Sequence, residues 1–239
     1  KTCEAYIAEL EKRKRSTEQA ERLLQTARNN LRLLKGVERV CIVDSFVVDK
    51  TDFLHAYRIS PESGRLMMCR SYFNDSVSHG ATVYQTERGN KLYYAELQTD
   101  SILGLVSRNR LLDGWSSASP LSQSINTCRN ADYPFASTDG LTLYFAADGQ
   151  GSTGGYDIFV TRLGTDADTY LAPENVGMPF NSAYNDYMVR LRQAPTRGKS
   201  LRLRLRSQHF KAGIRLRKYS QRAAHCSCTN PLHPRHLDR

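Results

Sequence analysis

The hydrophobic pattern changes period twice along the chain. Residues 2–35 contain no Pro or Gly and are rich in Glu, Lys, Arg, Gln, Ala and Leu, all good helix formers. A heptad frame places Cys3, Leu10, Thr17, Leu24 and Leu31 on one seam position and Tyr6, Arg13, Ala20, Ala27 and Leu34 on the other. The apolar stripe is clean towards Leu34 and interrupted by Arg13 and Thr17. The pattern predicts one long helix over 1–36, ended by Gly36 as a left-handed cap. Two readings stay open: a coiled-coil segment used for self-association or spacing, and an amphipathic helix lying on its own domain.

From Val37 the period falls to two. Val40–Val48 and Phe53–Ile59 read as strands, as does Leu66–Tyr72 after the turn at Ser60–Gly64. Together they predict an irregular first sheet. The pattern is clearest over Tyr133–Leu163, where three short strands are separated by Thr138-Asp139-Gly140 and by Gly149–Gly155. Gly140 supplies the positive φ of a tight turn, and Asp139 accepts backbone amides within it. Gly155 closes the second connection, and Asp157 after it is expected to tie adjacent loops together. These four are structural turn residues.

The pattern also repeats. Val83-Tyr84-Gln85-Thr86, Arg88-Gly89 and Leu92-Tyr93-Tyr94-Ala95 return as Pro134-Phe135-Ala136-Ser137, Asp139-Gly140 and Leu143-Tyr144-Phe145-Ala146. Trp115 and Asn126 return as Tyr170 and Asn181, and Asp132-Tyr133 as Asp186-Tyr187. A repeat of about fifty residues with aromatic landmarks predicts stacked sheets, each covering its neighbour's large side chains.

Tyr133-Pro134, Ser137-Thr138-Asp139-Gly140, Leu143-Tyr144-Phe145-Ala146 and Gly154-Gly155-Tyr156-Asp157-Ile158 resemble the TolB-like, WD-repeat-like bacterial β-propeller repeats of the cell envelope. The resemblance implies a mainly β chain: an incomplete propeller of about three to four antiparallel-meander blades over 37–189, behind the N-terminal helix. It also implies a periplasmic or outer-membrane-associated setting and a non-enzymatic binding or scaffold role for a protein or glycan ligand. The alternative is an enzyme, or an accessory domain of an envelope hydrolase or lyase, with its site at the propeller channel. The candidate binding surface comprises Trp115 and Arg110 in the segment 109–117 and Gln150, Ser152 and Thr153 in the glycine loop, because rigid sheets hold variable loops at a rim.

Charge separates a third segment. Residues 1–189 hold 20 Lys and Arg against 23 Asp and Glu, a net of −3, whereas residues 190–239 hold 14 against the single acid Asp238, a net of +13. The average of +10 therefore does not make the chain a nucleic-acid binder. No apolar run approaches the ~20 residues of a membrane span.

The six cysteines have no zinc-ribbon or disulfide-framework spacing. One disulfide among Cys41, Cys69 and Cys128 and buried free thiols are both open. Gly149–Gly154 matches GxGxxG, yet a strand follows where a dinucleotide site needs a helix. No cofactor, metal or catalytic residue is expected.

Three readings compete for the segment 190–239: a basic arm for polyanions, an amphipathic edge strand at Leu201–Arg206, and an out-of-frame translation of a further blade. The third is favoured, because the repeat stops in mid-blade after Val189 and the composition changes within two residues. Sequencing the gene checks it: an alternate frame after Val189 is expected to encode a turn and an aromatic strand. Neither frame doing so contradicts it.

Overall fold

The computed structural model describes residues 2–35, 40–48, 54, 61–74, 81–98, 102–149, 151–165, 169–188, 190–193, 199–206 and 211–218. The chain is mainly β, with antiparallel sheets and few helices.

The N-terminal segment is two helices rather than one, α1 (Thr2–Lys12) and α2 (Glu18–Lys35). Lys14 adopts φ 52°. Arg15 N–H donates to Leu10 at 3.0 Å and Lys14 N–H to Glu11 at 2.9 Å. These are the two bonds of a Schellman stop, made here on a lysine. With neither Gly nor Pro at the break, the sequence pattern ran straight through it. The restart was written in Thr17, whose carbonyl accepts Glu21 N–H at 2.9 Å, and in first-turn acids Glu18 and Glu21, which suit a helix N-terminus. Helix α2 folds back on α1, joining Arg28 to Glu4 at 2.6 Å. The exposed pair contributes little.

The first sheet runs in the order β2-β3-β4-β5-β6, with β7 also pairing β5. Its strands are β2 (Arg65–Met68), β3 (Thr82–Gln85), β4 (Lys91–Leu97), β5 (Leu103–Leu111), β6 (Gly114–Trp115) and β7 (Ser119–Pro120). Two single-turn helices interrupt the connections, α3 (Cys69–Tyr72) and α4 (Gln123–Asn126). The second sheet has the order β11-β10-β9-β8, from β8 (Asp132–Ala136), β9 (Thr142–Ala147), β10 (Asp157–Arg162) and β11 (Glu174–Asn175).

The repeat is visible as register. Tyr84 lies opposite Tyr93 and Gln85 opposite Leu92; Phe135 lies opposite Tyr144 and Ala136 opposite Leu143. In β4, four consecutive residues, Leu92 to Ala95, are buried, so both faces of that strand are covered. Leu92, Leu105, Leu143 and Phe145 belong to one apolar cluster spanning both sheets, each side chain contributing roughly 1.5–3 kcal/mol on burial. The Tyr84 hydroxyl lies 2.9 Å from the Ala136 carbonyl, and the Tyr93 and Tyr170 hydroxyls meet at 2.9 Å. Polar as well as apolar contacts thus join the sheets.

The expected first sheet does not form as a unit. Its opening strand, β1 (Val40–Val48), pairs instead with the C-terminal strand β14 (Lys211–Lys218). The third sheet has the order β1-β14-β13-β12, with β12 (Arg190–Gln193) and β13 (Lys199–Arg206). Strand β13 lies between β12 and β14, with Lys199–Arg202 opposite β12 and Arg202–Arg206 opposite β14, so Leu203–Arg206 pair on one side. The strand expected over Leu66–Tyr72 stops at Met68, where α3 begins. The one expected over Phe53–Ile59 lies outside the described residues except for Leu54. No helix among the described residues is long and apolar enough to cross a membrane.

Candidate functional site

Three hydrogen bonds mark one end of the two sheets. Ala131 N–H donates to Leu103 at 3.0 Å and Asp148 N–H to Arg129 at 2.9 Å, while the Asn130 side chain accepts Leu103 N–H at 3.3 Å. The starts of β5 and β8 and the end of β9 therefore share one rim. The opposite rim carries the β5–β6 hairpin, the β8–β9 turn and the connection from β10 to β11. Along β5 the two rims are eight residue steps apart, about 26 Å at strand rise.

The expected surface residues divide between these rims. Arg110 and Trp115 face one another across the β5–β6 hairpin, and the Arg110 guanidinium sits 5.2 Å from the indole centroid. Trp115 is half-buried against the edge of the core cluster. Ser152 and Thr153 lie on the other rim. Gln150 is outside the described residues. The structure does not bring the two groups together.

Around Arg110 and Trp115 the rim is apolar where turns are ordinarily polar. Leu112 is 103% and Leu111 56% exposed in the hairpin, with Leu141 at 54% and Leu171 at 56%. Among the described residues outside the helices, the other exposed large apolar side chains are Leu97 at 41% and Tyr184 at 67%. The sequence signal was Leu-Leu-Asp-Gly at 111–114, two leucines in a turn; it went unread. Leu171 is anchored by its N–H to Arg162 at 2.9 Å, and Leu141 receives Leu163 N–H at 2.8 Å. The apolar groups are thus presented by hydrogen-bonded backbone.

The β8–β9 turn on this rim is held by Asp139. Its carboxylate accepts Leu141 N–H at 2.8 Å, Thr142 N–H at 3.0 Å and the Thr142 hydroxyl at 3.0 Å. Gly140 has φ 70° with open space where a Cβ would sit, so its requirement is conformational.

The glycine loop is built for packing. A Cβ on Gly154 would fall 2.2 Å from the Ala183 carbonyl oxygen, and one on Gly155 would fall 2.1 Å from the Asn185 side chain. Thr153 donates N–H and hydroxyl to Asp157 at 2.9 and 2.6 Å. Asn175 donates to the same oxygen at 2.8 Å. Asp157 is fully buried and its carboxyl is raised, chiefly by burial, against the lowering by these hydrogen bonds. Asp186, the second buried acid here, is pushed up to about 7, again mainly by burial. The sequence repeat marked Asp186 but not its neighbourhood with Asp157, since nearness across 29 positions has no local pattern.

Cys69 and Cys128 are free thiols. Burial, then the charges of Asp132 and Glu96, push Cys69 up to about 12, far from the thiolate form that a nucleophile needs. Among the described residues, no group of three or more His, Cys, Asp or Glu side chains is arranged to hold a metal. Compared with family models, curated proteins and solved structures, the chain matches none of them.

The two glycines separate by mechanism. Gly154→Ala is expected to lower stability by about 1–3 kcal/mol, since backbone must shift. Gly140→Ala is expected to cost about 1 kcal/mol from left-handed strain alone. Urea unfolding midpoints of both variants check this; a neutral Gly154→Ala contradicts the packing account.

Proposed function

We propose that the chain is a non-enzymatic binding scaffold of propeller-type repeats, and that the rim formed by the β5–β6 hairpin, the β8–β9 turn and Leu171 docks a protein partner. The carrying observation is Leu111 and Leu112 standing out of a two-strand hairpin braced by Arg110 on Trp115. Exposed apolar groups gathered on one rim mark interaction surfaces when held on rigid elements. Each leucine covered by a partner contributes up to about 1.5–3 kcal/mol.

A protein fits better than a glycan. Sugar rings stack on open aromatic faces, whereas Arg110 sits over the Trp115 ring and the core cluster packs against the same side chain. The repeat-sheet resemblance supports a cell-envelope setting, and the folded-back α1–α2 hairpin supplies an added surface for spacing or self-association.

A peptide and glycan array probed with the full chain tests this. Peptide spots are expected to bind, with signal falling at least tenfold for Leu112→Asp and for Leu111→Ser while thermal unfolding is unchanged. Binding insensitive to both substitutions, or binding confined to glycan spots, contradicts it; turnover of any arrayed ligand favours the enzymatic alternative.

A further inference from the structure

The rim opposite the leucines holds two acids that the binding role does not use. Asp157 and Asp186 are both 0% exposed, and each keeps one carboxylate oxygen, Oδ1, without a hydrogen-bond partner. They flank a backbone bracket. Asp186 N–H donates to the Tyr156 carbonyl at 2.5 Å, and Tyr156 N–H donates to the Asn185 side chain at 2.9 Å. The other oxygen of each acid is anchored locally: Asp157 Oδ2 by Thr153 and Asn175, Asp186 Oδ2 by the N–H and hydroxyl of Ser182. One acid thus fixes the glycine loop and the other fixes the connection against which Gly154 and Gly155 pack.

We propose that Asp157 and Asp186 act together as a proton-holding latch, which keeps the Gly151–Gly155 segment closed on the 181–188 connection when the pair carries one proton and loosens it when the pair carries none. A buried carboxylate lacking a partner costs far more than a carboxylic acid. Burial is the largest cause raising Asp186, and Asp157's charge adds to it. The titratable neighbours are Tyr156, raised by burial and then by the charges of Asp132 and Asp148, and the Tyr133 and Tyr187 rings stacked at 4.6 Å. Among the described residues, no ion pair reaches either latch acid.

The sign follows from linkage. A folded-state value near 7 for Asp186 stands above that of the unfolded chain, so the folded state binds the extra proton. Its stabilisation is complete below about pH 4 and is lost as pH rises through 7, changing the unfolding constant by up to about tenfold per pH unit.

Urea unfolding and amide exchange from pH 5 to 8 on the full chain test this, comparing the wild type with Asp186→Asn and Asp157→Asn. The wild type is expected to lose up to about 100-fold in its folding constant between pH 5 and 7, together with protection at Thr153 and Ser182. Asp186→Asn should abolish that slope, and Asp157→Asn, which removes only the added charge, should make it shallower. Carbon-13 titration of the wild-type carboxyls needs no variant, and one aspartate should titrate near 7. Three results overturn the latch: equal slopes in wild type and variants, every aspartate titrating below 5, or calcium at pH 8 restoring wild-type but not Asp186→Asn stability, which would make the pair a cation site.

Discussion

An asparagine side chain that takes the place of a strand holds each of the two central sheets together. Asn126 accepts Leu105 N–H at 2.8 Å and donates to the Leu105 carbonyl at 3.1 Å. Asn181 treats Ile158 identically, at 2.8 and 2.9 Å. Leu105 and Ile158 have no exposed surface, so water cannot satisfy their backbone groups, and each unmet group would cost about 1–3 kcal/mol. The outermost strands β7 and β11 are two residues long, too short to cover β5 and β10 alone. One further bond matches in both: Leu121 N–H reaches Leu105, and Val176 N–H reaches Ile158.

That clamp explains why β5 and β10 are held alike while the loops at their ends differ. With both groups of Leu105 and Ile158 satisfied from the following connection, β5 and β10 stay in place whatever their ends carry. One rim is therefore free to present leucines beside Arg110 and Trp115. The other is free to bury two acids under a glycine loop. The exposed leucines and the two buried acids, about 26 Å apart along β5, rest on the same frame.

The repeat was legible because its landmarks have mechanical roles. The Tyr84–Tyr93 pair and its Phe135–Tyr144 copy sit in the same register, and Asn126 and Asn181 are the clamps themselves. Asp139 and Gly140 were legible as turn chemistry, which is local. The break after Lys12 was not, because a lysine occupies the left-handed cap position usually given to glycine. The partner of β1 was not either, since pairing across some 170 positions leaves no periodic trace in either strand. Leu111 and Leu112 in a turn carry no periodic signal, and only the fold places them on the same rim as Leu141 and Leu171.

The most direct measurement is amide hydrogen exchange at Leu105 and Ile158 in Asn126→Ala and Asn181→Ala. Each substitution is expected to cut protection about tenfold or more at its own clamped residue, and less at the equivalent residue of the other sheet. Unchanged protection at both clamped residues would mean that the asparagines decorate the sheets rather than complete them, and the shared-unit account would fall.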